Sequence, residues 1–174
     1  MSKWILKDSR KIFTSKYISL KENSYTMPDG STKDNYYLIE RPDYVLIVAL
    51  NSNGEVLVET NYRPGPDAML VELPAGWINN DESPLEAASR ELLEETGYRG
   101  EASYLGYFYL APSFSAIKGH VCVIKDIKKI QEPEQNSSEA PQLEFMTQAK
   151  LDEMIKQNEI KEIGMVAALK MALE

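Results

Sequence analysis

The sequence is poorest in the residues that disulfide and soft-metal chemistry require: 174 residues include one cysteine, Cys122, and one histidine, His120. A lone cysteine excludes an internal disulfide and any Cys-rich zinc site. Cys122 lies in the apolar run Val121-Cys122-Val123-Ile124, which reads as a buried, inert thiol, and His120 at the start of that run reads as structural. No stretch approaches the ~18 consecutive apolar residues of a membrane span. The N-terminus, Met1-Ser2-Lys3-Trp4, lacks the apolar segment of a secretory signal, so a cytoplasmic protein without a membrane partner is the expectation. Basic residues are also scarce, with 19 Lys and Arg against 27 Asp and Glu and a formal net charge of −8. That balance argues against a nucleic-acid partner, because affinity for phosphate backbones rests on clustered Lys and Arg. An acidic protein still binds an anionic substrate where divalent metals invert the local field. No internal repeat and no low-complexity segment is present.

What remains is ordinary globular material. Hydrophobic residues make up 43% and charged residues 26%, enough for a real core in one domain, or one domain with a small appendage. In the first 40 residues, Trp4 to Lys7, Lys16 to Glu22 and Asn35 to Ile39 read as strands, broken by the turn signal Met27-Pro28-Asp29-Gly30. Tyr44 to Leu50 is a continuous apolar run, as expected of a strand buried on both faces. The turn Asn51-Ser52-Asn53-Gly54 leads to a strand over Glu55 to Tyr62, and Met69 to Leu73 reads as another. A helix is expected from Pro84 to Thr96, capped by Asp81 or Ser83, with Pro84 in its first turn and Gly97 just past its end. Ala102 to Leu110 and Gly119 to Ile127 read as two strands. Glu132 to Gln142 is a polar, proline-containing loop, and Leu143 to Met146 a last strand. Lys150 to Gln157 and Gly164 to Leu173 read as closing helices. Strands on both sides of a central helix, with helices at the end, predict an α/β fold with a mixed sheet covered on both faces.

The helix over Pro84 to Thr96 carries the chemistry. At about 100° per residue, Glu91, Glu94 and Glu95 share one face. Ala87 and Ala88 fall on that face too, leaving room for ions and a diphosphate beside the backbone, while Leu85, Leu92 and Leu93 are expected to point to a core. Like charges at this spacing repel, and partial burial should raise at least one pKa. Hard divalent cations remove the penalty. A solvated acidic face is the bland alternative, but it leaves Gly76, Arg90 and Gly97 unexplained.

These residues resemble the Nudix box, G-x5-E-x7-R-E-U-x-E-E-x-G-U with U apolar. Gly76, Glu82, Arg90, Glu91, Leu92, Glu94, Glu95 and Gly97 match, with Tyr98 a variant at the last U. The resemblance implies an α/β/α sandwich with a mixed sheet, and hydrolysis of a nucleoside diphosphate linked to another group. It implies Glu91, Glu94, Glu95 and the Ala75 carbonyl as metal ligands, with Glu82 an outer ligand reached through water. Arg90 would orient the catalytic carboxylates. Two or three Mg²⁺ ions, with Mn²⁺ able to stand in, would polarise the diphosphate and activate water.

Flanking residues resemble the branch that cleaves ADP-ribose and other nucleoside diphosphate sugars. Glu72-Leu73-Pro74-Ala75-Gly76 is similar to that branch's entry into the box, Pro112 to its marker proline, and Asn61-Tyr62-Arg63-Pro64 to its strand ending in an arginine beside substrate. The likeness implies a homodimer in which an N-terminal strand region, residues 1–42, covers the partner's site on the domain of residues 43–174. Tyr17 would stack on the base, or else pack on the core as a strand tyrosine, and Arg41 would reach a phosphate. Arg63 is a substrate contact or a surface cation, and Glu72 a base or ribose contact. Glu139 is the choice for general base among Glu132, Glu134, Glu139 and Glu144. The run Pro112-Ser113-Phe114-Ser115-Ala116 departs from the branch pattern by lacking a glycine and an acid, which leaves room for sugar nucleotides other than ADP-ribose. The competing expectations are a nucleoside triphosphate pyrophosphatase and a non-catalytic ADP-ribose sensor.

Overall fold

The computed structural model describes residues 2–133 and 141–174. They form two compact units, Met1–Asp43 with Tyr109–Lys118, and Tyr44–Phe108 with Gly119–Glu174.

The first unit is an antiparallel sheet of β1 (Ile5–Thr14), β2 (Ser19–Thr26) and β3 (Thr32–Glu40), in that order. The turn expected at Met27 to Gly30 is present. Gly30 adopts φ +85°, its N–H donates to Met27 O at 2.9 Å, and Asp29 Oδ1 accepts from Ser31 N at 2.9 Å. β1 runs well past the expected Trp4 to Lys7. Its polar stretch has no alternating pattern, and ladder pairing with β2, interrupted by bulges at Leu6/Asp8 and Lys11/Phe13, makes it a strand. Tyr36 packs edge to face on Trp4 and Tyr25, which are tilted against each other, with centroids 5.5 to 5.9 Å apart. Ile39 N donates to Phe114 O at 2.8 Å, which joins the Tyr109–Lys118 segment to β3.

In the second unit, β4 (Tyr44–Ala49) lies inside a mixed sheet of order β7-β4-β9-β8, where β7 is Ala75–Trp77, β8 Tyr98–Tyr109 and β9 Lys118–Lys129. β4 runs parallel to β9 and antiparallel to β7. A second sheet, β10-β5-β6, consists of Gln142–Met146, Val56–Arg63 and Ala68–Glu72, all antiparallel. The helices are α1 (Pro84–Thr96), α2 (Gln148–Lys156) and α3 (Ile163–Leu173).

Side-chain alternation along β4 explains its continuous apolar run. Val45, Ile47 and Ala49 join a core cluster with Ala87, Ala88 and Leu92 of α1. Leu46 and Val48 join the other cluster, with Leu151 and Met154 of α2 and Met165 and Leu169 of α3. Helices therefore cover both faces, giving the α/β/α layering that was expected. Each fully buried aliphatic side chain contributes about 1.5–3 kcal/mol. Cys122 is completely buried in the α1 cluster, and burial pushes its thiol up to about 11, so it is inert as expected. Among the described residues no helix is long and apolar enough to cross a membrane.

Candidate active site

The functional residues are held by α1 and by the short strand β7, antiparallel to β4. Ser83 is the N-cap of α1: its side chain accepts from Glu86 N at 3.3 Å, and Glu86 Oε2 accepts from Ser83 N at 2.8 Å, a reciprocal capping box. Of the two caps expected, Ser83 is the one used. At the other end Gly97 adopts φ +75°, and a side chain there would collide with the carbonyl oxygen of Gln131. Glycine at 97 serves both the left-handed cap and this close approach.

The buried arc of α1 corrects one expectation. Ala87, Ala88, Leu92 and Thr96 are completely buried, whereas Leu85 is 37% exposed and Leu93 only partly buried. The alanines do not line an open groove; they let the helix approach the sheet closely. On the helical wheel the buried arc spans about 180° and includes Glu91 and Glu95, with Glu94 at its edge. The acidic face and the core face overlap, so two of the three carboxylates are drawn out of water.

Electrostatics follow from that placement. Burial, with the charges of Glu59 and Glu91 beside it, pushes the Glu95 carboxyl up to about 8. Glu91 is also raised, chiefly by burial. Glu95 Oε2 accepts from Ala75 N at 3.3 Å. A methyl group on Gly76 would overlap the Glu91 carboxylate, so only glycine at 76 leaves that carboxylate its place.

Arg90 ties the cluster together. Its Nε and Nη2 donate to the two oxygens of Glu82 at 2.7 and 2.9 Å, and Nη2 also donates to Trp77 O at 3.0 Å. Nη1 donates to Glu91 Oε1 at 2.7 Å and Glu94 Oε2 at 3.1 Å. The guanidinium holds Glu82 down at about 2, and is itself raised by the surrounding carboxylates. Arg90 thus orients the carboxylates, joining β7, the loop before α1, and the helix.

The structure also shows a carboxylate that the sequence reading missed. Glu59 on β5 is 4% exposed, and burial pushes it up to about 7. The available signal was an acid directly after the apolar run Val56-Leu57-Val58, on the same strand face as Leu57.

Arg63, last in β5, reaches along the antiparallel pair to Glu72, last in β6 and opposite Glu59 in register. Arg63 Nη2 is 2.8 Å from Glu72 Oε2, and Arg63 Nε donates to both Glu72 oxygens at 2.9 and 3.1 Å. Arg63 ends β5 as a half-exposed cation paired with Glu72. Tyr17, Arg41 and Pro112 all belong to the first unit. Tyr17 precedes β2 in an exposed loop, 63% accessible, with Lys16 Nζ 5.1 Å from its ring centre. The alternative of a strand tyrosine packed on the core is overturned: Ser15 Oγ accepts from Tyr17 N and Ile18 N at 3.2 Å, forming a turn before the strand begins. Arg41 is exposed just after β3, and Pro112 lies in the turn closed by Ser115 N donating to Ala111 O at 2.8 Å.

Of the base candidates, Glu139 and Glu134 lie outside the described residues. Glu132 is exposed and pairs with Lys129 Nζ at 2.8 Å. Glu144 is exposed on β10 opposite Val58, on the sheet face away from Glu59. His120 is structural as expected, with Nδ1 3.0 Å from Tyr104 Oη and its ring against Tyr104 and Tyr107.

The donor set fits a hard divalent cation in its chemistry: carboxylate oxygens forced together, raised pKa values, and Glu59 Oε1 buried without a hydrogen-bond partner among the described residues. Arg90 engages Glu91 and Glu94 in this arrangement. Among the described residues no three His, Cys, Asp or Glu side chains converge to hold an ion as they stand.

A mixed α/β sandwich with an arginine-tethered carboxylate helix defines the class. Residues 40–169 match the NUDIX domain family, and the chain belongs to it. The chain is 29% identical over 122 residues to the ADP-ribose pyrophosphatase of Bacillus subtilis (strain 168), covering 70% of this chain and 65% of that protein. It is 30% identical, with the same coverage, to the methanol dehydrogenase activator of Bacillus methanolicus. An ADP-ribose pyrophosphatase of Mycobacterium tuberculosis is 30% identical over 134 residues, 76% of this chain and 64% of that one. The chain thus spans just under two thirds of the length of these relatives. The crystal structure of an ADP compounds hydrolase superimposes with a TM-score of 0.87 at 22% identity, covering 98% of this chain and 92% of the other. At that identity the likeness establishes the fold.

Proposed function

We propose that this protein is a Mg²⁺-dependent pyrophosphohydrolase that cleaves a nucleoside diphosphate sugar, ADP-ribose or similar, to a nucleoside monophosphate and a sugar phosphate. The observation that carries this reading is the burial of Glu91 and Glu95 on the core face of α1, with Glu91 against Gly76 and Arg90 binding Glu91 and Glu94. Carboxylates crowded and desolvated in this way raise the free energy of the empty site, and a divalent cation offsets it. Similarity to the two ADP-ribose pyrophosphatases supports the substrate class.

Glu91, Glu94, Glu95 and the Ala75 carbonyl would hold the ions, with Glu82 outside them. Bound there, Mg²⁺ would supply Lewis-acid polarisation of the anhydride and a lowered pKa for the attacking water. The chain's own part is positional. Arg90 fixes the direction of Glu91 and Glu94, Gly76 leaves Glu91 its space, and the Ala75 N–H orients Glu95. Water adds to one phosphorus, the bridging P–O bond breaks, and the leaving phosphate departs with the electron pair. Glu139 is our candidate to accept the water's proton. We assign substrate contacts to Arg63 and Glu72, whose mutual pairing holds both side chains in place, and to Tyr17, Arg41 and Pro112 within a cytoplasmic homodimer. Sedimentation of the purified protein tests the dimer.

A substrate panel with Mg²⁺ tests the activity. Hydrolysis of ADP-ribose or another sugar nucleotide is expected; hydrolysis of nucleoside triphosphates alone would replace this reading with the triphosphate one. ADP-ribose binding without turnover of any compound would replace it with a sensor.

A further inference from the structure

The second carboxylate pair of the site lies across two elements. On β5, alternation places Leu57, Glu59, Asn61 and Arg63 on one face, and Leu57 packs with Ala87, Ala88 and Leu92 in the α1 cluster, while Val56 and Val58 belong to the opposite cluster. Glu59 therefore faces α1 in the middle of the sheet β10-β5-β6, flanked in register by Leu143 and Glu72. Its charge is felt by Glu95, second only to burial among the influences on that carboxyl.

The position has little to satisfy a carboxylate. Asn61 Nδ2 donates to Glu59 Oε2 at 3.2 Å, and Arg63, whose charge reaches Glu59, forms its ion pair with Glu72, the residue opposite Glu59 in register. Glu59 Oε1 is fully buried and has no hydrogen-bond partner among the described residues. Burying a carboxylate without a partner is costly, and an apolar residue here would continue the Leu57 face at no such cost. A cation shared with Glu95 would satisfy that oxygen.

We propose that Glu59 is a further carboxylate of the divalent-metal site, its Oε1 oxygen serving the ion held at Glu95 either directly or through a bound water. This rests on the metal-dependent reading above. It extends the donor set beyond α1 and β7 to the central strand of the second sheet, and it ties metal occupancy to β5, the strand that also carries Arg63. An ion at Glu95 and Glu59 would therefore order the strand leading to the Arg63–Glu72 pair.

Binding of Mn²⁺ alone, followed by the loss of the free-ion resonance signal and by calorimetry, tests this without reference to turnover. The proteins compared are wild type, Glu59→Gln and Glu95→Gln, with metal-free melting curves as the fold check. Wild type is expected to bind Mn²⁺, Glu95→Gln to lose the tightest site, and Glu59→Gln to weaken that site about tenfold or more while melting no lower than wild type without metal. Wild-type affinity in Glu59→Gln, with Glu95→Gln impaired, would overturn the role of Glu59 and leave the metal site standing. No Mn²⁺ binding by wild type at millimolar concentration would overturn both. If Glu59→Gln does not fold, Glu59→Asp carries the same test, since it keeps the charge and retracts the oxygen by one methylene. Weakened binding then supports the proposal, and unchanged binding overturns it.

Discussion

Gly76 and Glu91 share one space: the glycine has no side chain because the carboxylate from α1 lies where a Cβ would be. Gly76→Ala should therefore displace the Glu91 carboxylate or push β7 away from α1. We expect a stability loss of about 1–3 kcal/mol, as for other overpacked sites, together with weaker divalent-metal binding. Denaturant unfolding and Mn²⁺ titration of the same preparation measure the two effects. A variant with normal metal affinity would show that the close approach is packing alone.

The raised carboxylates make stability without metal depend on pH in a definite direction. Glu95 and Glu59 ionise more readily in the unfolded chain, from 4.5, than in the fold, about 8 and about 7. Between those limits the folded state holds more protons, so stability falls as pH rises from about 5 to 8. Melting temperatures in chelator should fall across that window, and Glu95→Gln should flatten the curve. Millimolar Mg²⁺ should raise the melting temperature most at the alkaline end, since the ion stabilises the ionised form by mass action.

Arg90 makes five hydrogen bonds to three carboxylates and one carbonyl. Lysine cannot reproduce the fork that grips both oxygens of Glu82 while reaching Trp77 O. Arg90→Lys should lower kcat by roughly 10- to 100-fold, corresponding to the ~1–3 kcal/mol of buried partners left unmatched, with KM less affected. Steady-state kinetics on a sugar nucleotide decide it.

Leu92 is completely buried between the sheet and the carboxylate face. Leu92→Ala should cost about 2–5 kcal/mol in urea unfolding, whereas Leu85→Ala, at the 37% exposed position, should cost far less. The contrast checks the helix rotation that places Glu91 and Glu95 toward the core.

Much of this arrangement was legible in the residues. The bounds of α1 follow from Ser83, Pro84 and Gly97, and the two-sided burial of β4 from its unbroken apolar run. Chemistry was legible too, because Gly76, Arg90 and the three glutamates stand at a fixed spacing. The rotation of α1 was not. Alanine reads equally as an open groove or as close packing, and only the sheet beneath Ala87 and Ala88 decides between them. Glu59 was hidden for a related reason, since one acid in an apolar strand has no partner nearby in sequence; Glu95 lies on another element. β1 gave little signal because cross-strand pairing, not side-chain alternation, makes it a strand.

The most direct measurement is the initial rate of ADP-ribose cleavage at saturating Mg²⁺, wild type beside Glu95→Gln. Wild type is expected to release AMP and ribose phosphate, with no turnover in chelator, and Glu95→Gln to lose kcat by orders of magnitude while its metal-free melting temperature holds or rises. A near-normal rate in Glu95→Gln would contradict the assignment of the carboxylate helix as the metal-bearing centre.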